Sequence, residues 1–213
     1  MIFKNFLNIK NTKIIKKDFL KLLKDQPELF ETLKPTYKYS YSKKIVKKYK
    51  KLSNLRIIGM GGSVLGSEAI YDFLKPKIKK KITFVNNFNS NADYFENKNI
   101  NLNLIISKSG NTLETIANAN ALINKKEKNI IITEAKNSYL TNLAVKLKAE
   151  IFEHKNYVGG RYSVLSEVGM LPAELMNLNE NKFKQFNNLI KNKNFINNLV
   201  SNVSTTLSLI KSG

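Results

Sequence analysis

The stretch that decides the fold is Leu55-Arg56-Ile57-Ile58-Gly59-Met60-Gly61-Gly62-Ser63-Val64-Leu65. Residues 55–60 form a short, nearly continuous apolar run that is rich in β-branched side chains, and such a run predicts a buried strand. Two glycines and a serine follow, and from Val64 apolar residues recur at helical spacing as far as Phe73. The stretch therefore predicts a strand, a tight turn and a helix in direct succession, which is the repeating unit of α/β proteins.

The same alternation continues for the next ninety or so residues. Leucines, isoleucines and alanines recur at helical spacing between the later apolar runs. Strands that are apolar along their whole length and alternate with helices predict a doubly wound, mainly parallel α/β sheet of about five strands, covered on both faces. The four further predicted strands are residues 82–85, 102–106, 130–133 and 149–152.

Helical patterns flank this core on both sides. Residues 1–51 have mainly helical spacing, and we expect them to form an N-terminal helical arm that packs on the main domain, residues 52–213. Behind Gly160 the sequence predicts three C-terminal helices, over residues 164–175 with an interruption at Pro172, over 182–190 and over 195–210.

The 213 residues carry a formal net charge of +20, which bears on the class of partner. One interpretation is a nucleic-acid-binding protein that contacts backbone phosphates. The lysines, however, are scattered or lie in short runs, and Arg56 and Arg161 are the two arginines of the chain, whereas base-specific contacts generally use arginine. We therefore favour a compositional bias, expect no specific nucleic acid, and expect the charge to attract anionic metabolites.

Several classes of site are excluded by what the sequence lacks. The chain contains no cysteine, so thiol catalysis, cysteine metal sites and disulfides are ruled out. Its histidine, aspartates and glutamates show no metal-ligand spacing. No apolar run approaches the ~20 residues of a membrane span, and the N-terminus lacks the pattern of a secretory signal. We expect a cytoplasmic protein that uses neither a metal nor a membrane.

Two loops between predicted strands and helices carry candidate chemistry, because ligands of parallel sheets bind at the carboxyl ends of the strands. The loop Gly59-Met60-Gly61-Gly62-Ser63 fits a tight turn and an anion site equally well when taken alone. Its spacing matches neither the dinucleotide-binding loop nor the ATP-binding loop. The glycines by themselves leave its role open.

The second loop, Ser107-Lys108-Ser109-Gly110-Asn111-Thr112, places three hydroxyls and a lysine before a predicted helix. Thr115 lies three residues after Thr112, so both can face one side of the first helical turn. Such hydroxyls, together with the helix dipole, can bind a phosphate. Helix capping by Asn111 and Glu114 is the alternative. Because capping does not account for the remaining hydroxyls, we favour phosphate binding.

The third motif, Gly159-Gly160-Arg161-Tyr162-Ser163, puts an arginine directly after paired glycines. Its guanidinium could stabilise an oxyanion or hold a phosphate, although the motif alone fits a surface turn better. The single histidine, His154, follows the fifth predicted strand, and a lone histidine is more often structural than a catalytic base.

The segments Ile58–Gly66, Ile106–Thr115 and Gly159–Ser166 closely resemble, in order and spacing, successive motifs of the glucose-6-phosphate isomerase family. The third resembles the arginine signature of that family. The resemblance covers residues from about 55 to 175, whereas the N-terminal arm is similar only in being helical. The resemblance implies a sugar-isomerase (SIS) type domain. One small departure from the family pattern is Val64, which stands where some relatives carry an acidic residue.

The resemblance implies an aldose-ketose isomerase that interconverts glucose 6-phosphate and fructose 6-phosphate through an enediolate, without cofactor or metal, usually as a homodimer. Arg161 resembles the arginine that stabilises the enediolate. The residues that resemble the substrate-binding set are Gly62, Ser63, Ser107, Lys108, Ser109, Thr112 and Thr115. A non-catalytic sugar-phosphate-binding SIS module and a bifunctional phosphoglucose/phosphomannose isomerase are the alternatives.

In the family, the glutamate base, the ring-opening histidine and a late lysine lie in a second SIS domain. The sequence given shows no pattern of that second domain. We therefore assign none of those three roles to Glu114, Glu167 or His154. We expect residues 1–213 alone to bind sugar phosphate weakly and not to convert it.

Overall fold

The computed structural model describes residues 12–25, 27–88, 100–186, 188 and 191–212. The beginning of the predicted N-terminal arm, residues 1–11, lies outside the described residues. The chain contains five strands within this part, and their positions match the predicted runs to within two residues. The strands are β1 (Asn54–Gly59), β2 (Lys81–Val85), β3 (Leu102–Ile106), β4 (Lys128–Thr133) and β5 (Glu150–Glu153).

All strand pairs are parallel, and the order across the sheet is β2-β1-β3-β4-β5. The chain therefore moves outward in one direction from β1 to β2 and in the other direction from β3 to β5. A doubly wound sheet of this order has its topological switch point between β1 and β3, where ligands bind outside the carboxyl ends of the strands. The predicted fold class is confirmed.

The described part of the chain contains seven α-helices. They are α1 (Thr12–Asp25), α2 (Lys43–Tyr49), α3 (Leu65–Leu74), α4 (Leu113–Leu122), α5 (Tyr139–Leu147), α6 (Glu167–Leu175) and α7 (Lys193–Ser212). Short 3-10 helices occupy Pro27–Leu33, Gly61–Ser63, Lys75–Lys77, Gly160–Leu165 and Glu180–Phe186.

The apolar strands are buried because helices cover both faces of the sheet. On one face, Ile57, Leu104 and Ile132 belong to a cluster that includes side chains of α2 and α6. On the other face, Ile58, Ile105 and Ile131 pack against α4 and α5. The alternation of Ile57 with Ile58, and of Leu104 with Ile105, follows directly from the two-residue period of a strand. Burial on both faces explains why the strands lack polar alternation.

Helix α6 continues through Pro172, which corrects the predicted interruption at that residue. A proline inside a helix removes the amide that would bond the carbonyl four residues earlier, here that of Val168. In this fold the Ser67 hydroxyl of α3 donates to the Val168 carbonyl oxygen at 3.2 Å. The donor that proline lacks is supplied from a neighbouring helix, so the helix need not end there.

Contacts divide the chain into two compact units, Lys38–Glu180 and, as far as they are described, Met1–Tyr37 with Asn181–Gly213. The sheet belongs to the first unit. There the Tyr41 hydroxyl donates to Glu174 Oε1 at 2.8 Å and ties the segment before α2 to α6. The domain boundary after residue 51 stays a prediction.

In the second unit, α1 contacts α7, and Lys16 Nζ donates to Asn197 Oδ1 at 3.1 Å. The helix predicted over residues 182–190 begins as the 3-10 helix Glu180–Phe186, and Asn187, Leu189 and Ile190 lie outside the described residues. Among the described helices, none is both long and apolar enough to cross a membrane.

Candidate functional site

The loops that follow β1 and β3 begin side by side at the switch point of the sheet. Gly59 at the end of β1 is the register partner of Ile106 at the end of β3. A Cβ atom added at Gly59 would lie 3.0 Å from the Ile106 carbonyl oxygen, so the two backbones are closely apposed. The first two predicted loops therefore share the position at which an open parallel sheet binds its ligand.

The first and third motifs meet through their backbones. A Cβ atom on Gly62 would lie 2.2 Å from the Gly160 carbonyl oxygen and 3.2 Å from the Arg161 amide nitrogen. The Ser163 hydroxyl contacts the carbonyl oxygens of both glycines, at 3.1 Å for Gly62 and 2.7 Å for Gly160. Because only glycine leaves room for this approach, the turn that carries Ser63 is held against the turn that carries Arg161.

The two arginines have opposite environments. Arg56 is 3% exposed at the start of β1 and donates to the Leu122 carbonyl oxygen at 2.7 Å and to Asn103 Oδ1 at 3.3 Å. Arg161 is exposed, and within the described part of the chain its guanidinium has no hydrogen bond or ion pair. Arg56 is therefore a structural residue, whereas the Arg161 guanidinium is available to a ligand.

The hydroxyls of the second loop lie together, as the sequence predicts. Ser107 Oγ and Thr112 Oγ1 are 2.9 Å apart, and Ser109 Oγ lies 3.5 Å from the same Thr112 oxygen. Gly110 turns the loop with a φ of +69°, and a Cβ there would lie 2.2 Å from the Ser138 hydroxyl. The loop thus presents three clustered hydroxyls, and its glycine permits both the turn and the close packing on the start of α5.

The start of α4 is left without a side-chain cap, so the capping alternative is wrong. Thr112 is the N-cap residue and makes no side-chain capping bond. The Asn111 side chain instead accepts a hydrogen bond from the Tyr139 amide at 2.9 Å, at the beginning of α5. The first amides of a helix have no intrahelical acceptor and carry the positive end of the helix dipole. An uncapped helix start next to clustered hydroxyls can bind an anion.

Thr115, in the first turn of α4, is 1% exposed, and its Oγ1 has no hydrogen-bond partner among the described residues. A buried hydroxyl without a partner costs about 1–3 kcal/mol. Buried polar atoms of this kind are rare in folded proteins and call for an explanation. Thr115 lies three residues after Thr112, so this unpartnered hydroxyl belongs to the same helix start as the hydroxyl loop.

Lys108 is the one predicted substrate-binding residue whose side chain the structure engages elsewhere. Its ammonium donates to the Asn156 carbonyl oxygen at 2.7 Å and lies 3.7 Å from Glu134 Oε1. A hydrogen bond from Lys136, followed by the charges of Lys136 and Lys108, holds the pKa of Glu134 below its usual value despite partial burial. Glu134 is therefore an anion that both lysines contact.

The candidate acid–base residues are tied into the fold. His154 is 2% exposed, and its Nδ1 contacts the Lys155 carbonyl oxygen at 3.2 Å, which requires the proton on Nδ1. Burial, and then the charge of Lys108, lowers the pKa of His154. Glu167 is fully buried, and its Oε1 accepts a hydrogen bond from the Ser40 amide at 2.9 Å. Neither residue has the accessible geometry of a catalytic base.

Metal-binding clusters of three or more histidine, aspartate or glutamate side chains are missing from the described residues.

The structure adds three residues that sequence reasoning did not assign to the site. The Ser163 hydroxyl is hydrogen-bonded to both glycine turns, and Thr133 Oγ1 donates to the Lys108 carbonyl oxygen at 3.3 Å. The Asn156 carbonyl oxygen accepts a hydrogen bond from the Lys108 ammonium. Ser163 lies inside the arginine motif, but no sequence signal marks Thr133 or Asn156.

The fold defines a class, a doubly wound α/β protein in which the loop after β1 lies beside the loop after β3 and against the arginine turn. A solved structure, that of a hypothetical protein from Thermus thermophilus, shares this fold with a TM-score of 0.71 at 18% identity, covering 90% of this chain and 51% of that chain.

The sequence model of the family described as phosphoglucose isomerase matches residues 9–210. The chain therefore belongs to the phosphoglucose isomerase family, which confirms the resemblance of its three motifs. The glucose-6-phosphate isomerase of Methanocaldococcus jannaschii is 34% identical over 179 residues, covering 71% of this chain and 41% of the relative. That of Borreliella afzelii is 40% identical over 140 residues, covering 57% and 26%. The chain thus spans less than half the length of these relatives.

Proposed function

We propose that this chain forms the phosphate-binding part of a glucose-6-phosphate isomerase, which interconverts glucose 6-phosphate and fructose 6-phosphate. The observation that carries the proposal is the uncapped start of α4 beside the hydroxyls of Ser107, Ser109 and Thr112. A phosphate there would accept hydrogen bonds from neutral hydroxyls and from the first amides of the helix, aided by the helix dipole. Thr115 Oγ1, buried and unpartnered among the described residues, supplies a further donor.

Arg161 is the residue of this chain that we assign to the reaction itself. When a base removes the proton next to the substrate carbonyl, negative charge develops on an enediolate oxygen, and a fixed cation stabilises that charge. The Gly62–Gly160 backbone contact supports this role, because it holds the arginine turn against the turn that carries Ser63. To Gly62 and Ser63 we assign contacts with the sugar.

The finer parts of the proposal rest on the family. We infer a cytoplasmic protein that forms a homodimer as part of a full-length isomerase and acts without a cofactor and without specific contacts to nucleic acid or membrane. For residues 1–213 alone we predict binding of sugar phosphate without turnover, since neither His154 nor Glu167 is placed as a catalytic base. Formation of glucose 6-phosphate from fructose 6-phosphate by these residues, detected in a coupled assay, would contradict that prediction.

Paired substitutions in the first turns of α4 and α5 test the phosphate site. Thr115→Val removes a buried hydroxyl that has no partner among the described residues, so we expect the protein to gain about 1 kcal/mol in unfolding free energy. The same change should weaken binding of fructose 6-phosphate by roughly 10-fold or more, because a hydrogen bond to a charged group is worth ~1.5–3 kcal/mol. Stability and affinity should move in opposite directions.

Thr141→Val is the matched control, because Thr141 occupies the first turn of α5 and its hydroxyl is fully bonded to Ser138, at 2.9 Å from the Ser138 amide and 2.8 Å from its carbonyl oxygen. It should lose about 0.5–2 kcal/mol of stability and keep its affinity. Calorimetric titrations with fructose 6-phosphate, mannose 6-phosphate and unphosphorylated fructose give the affinities. Equal affinity of wild type and Thr115→Val for fructose 6-phosphate, or binding of fructose alone, would refute the site, and comparable mannose 6-phosphate binding would favour a bifunctional enzyme.

A further inference from the structure

Lys108 links three elements at the candidate site. Its backbone carbonyl oxygen accepts the Glu134 amide at 3.1 Å and the Thr133 hydroxyl at 3.3 Å, which fixes the loop to the end of β4. Its side-chain ammonium donates to the Asn156 carbonyl oxygen at 2.7 Å. One residue of the hydroxyl loop is thus bonded to the segment after β4 and to the segment after β5.

Asn156 lies five residues before Arg161, in a chain of short turns. The Val158 amide donates to the Lys155 carbonyl oxygen at 3.0 Å, and the Tyr162 amide donates to the Gly159 carbonyl oxygen at 2.9 Å. These bonds make residues 155–162 a tightly turned connection between β5 and the 3-10 helix that begins at Gly160. A contact at Asn156 therefore restrains the arginine turn, because only a short, hydrogen-bonded segment separates the two.

Glu134 is the second partner of the Lys108 ammonium. Its carboxylate lies 3.7 Å from Lys108 Nζ and is also paired with Lys136, and its side chain is 15% exposed. The Lys108 side chain is 32% exposed, so the ammonium is partly screened from water by these partners. A lysine held by a carbonyl oxygen and a carboxylate has a defined direction, which an unpaired surface lysine lacks.

We propose that Lys108 is a positioning residue that sets the arginine turn relative to the phosphate-binding hydroxyls, with Glu134 orienting its ammonium, rather than a cation that contacts the phosphate. The proposal rests on the proposed function, since it assigns the phosphate to the hydroxyls and helix amides. It differs from the role that the sequence resemblance implies for Lys108, which places the lysine with the substrate binders.

Amide hydrogen exchange without ligand tests the link by itself. In Lys108→Met, amides of residues 155–162 should exchange roughly tenfold faster or more, the effect of losing one charge-assisted hydrogen bond in a locally opening segment. Lys108→Arg should restore the wild-type rate, because a guanidinium can also donate to the Asn156 carbonyl oxygen, and Glu134→Gln should lie between. Lys125→Met removes an equal charge from an exposed position and should leave the segment unchanged. Unchanged exchange in Lys108→Met would overturn the proposal.

Titration with inorganic phosphate, followed by amide chemical shifts, separates positioning from direct contact. We expect Lys108→Met to bind phosphate within about threefold of Lys125→Met, since the hydroxyls and helix amides hold the phosphate and both variants lose one unit of net charge. A loss beyond tenfold that is specific to Lys108→Met would place the ammonium on the phosphate and overturn the proposal. If wild type itself binds no phosphate, the proposed function fails, while the exchange measurement still decides whether Lys108 holds the segment.

Discussion

Replacing Gly62 by alanine should separate the two turns that build the site. The added Cβ would lie 2.2 Å from the Gly160 carbonyl oxygen and 2.5 Å from its carbon, which are backbone atoms with no rotamer to change. Relief requires a displacement of about 1 Å or more, since non-bonded heavy atoms settle near 3.5 Å. Overpacking of this kind costs about 1–3 kcal/mol. The shift would also strain the 2.7 Å bond from Ser163 to Gly160, worth ~0.5–1.5 kcal/mol.

The expected total of roughly 2–4 kcal/mol is measurable by urea unfolding, and it corresponds to a fall in Tm of about 5–15 °C for a chain of this size. Two neighbouring glycines provide graded controls. A Cβ on Gly160 meets nothing within 4 Å, so Gly160→Ala should be neutral or stabilising by about 0.4–1 kcal/mol. Gly61 has equally open space but a φ of +54°, so Gly61→Ala should cost ~1–2 kcal/mol through backbone strain alone.

The order of unfolding free energies is therefore Gly160→Ala at or above wild type, then Gly61→Ala, then Gly62→Ala. Affinity for fructose 6-phosphate should fall furthest in Gly62→Ala, because Arg161 follows directly on the carbonyl that is displaced. If Gly62→Ala and Gly160→Ala unfold at the same urea concentration, the two turns do not touch as described, and the reasoning that places Arg161 beside Ser63 is refuted.

Two further predictions concern pH. Burial lowers the pKa of His154, so the native state binds fewer protons than the unfolded chain below about pH 6.5, and stability should fall on acidification through that range. In His154→Gln, urea unfolding at pH 7.5 and 5.5 should show a smaller loss, and an identical loss would contradict the buried neutral histidine. Burial, and then the charge of Lys50, lowers the pKa of Lys80 to about 8. Stability should therefore rise between about pH 8 and 10.5, by up to roughly 3 kcal/mol, and Lys80→Met should lack this rise when compared with wild type by urea unfolding at pH 7.5 and 10.

The sheet could be predicted from the sequence because each strand carries its own signal. A strand buried on both faces needs a run such as Leu104-Ile105-Ile106, in which successive side chains are all apolar. The helix over residues 164–175 was harder, because Pro172 removes a donor that the sequence near it does not replace. The replacement comes from Ser67, about a hundred residues earlier, and only the packing of α3 on α6 brings the two together.

The candidate site likewise has one feature that is set by neighbouring residues in the sequence and others that depend on distant ones. The Ser107–Thr112 hydroxyl cluster is local, because its members lie within six residues of one loop, so its composition predicts it. The use of Asn111 is not local, since its side chain accepts the Tyr139 amide of another helix and leaves α4 uncapped. The direction of the Lys108 ammonium likewise depends on Asn156, which lies 48 residues away in sequence. A cluster of side chains within one loop can be predicted from sequence spacing. Which distant residue a side chain bonds to can be known only from the fold.

These placements lead to a prediction about the net charge of +20. If Lys108 is committed to Asn156 and Glu134, the phosphate is held by neutral hydroxyls, helix amides and the partial charge at the start of α4. Short-range bonds of this kind are screened weakly by salt, while the attraction that the scattered lysines exert on an anionic metabolite acts over distances that salt screens strongly. Added salt should therefore slow the association of fructose 6-phosphate much more than it speeds its dissociation. A dissociation rate that rises steeply with salt would instead place a lysine ammonium on the phosphate.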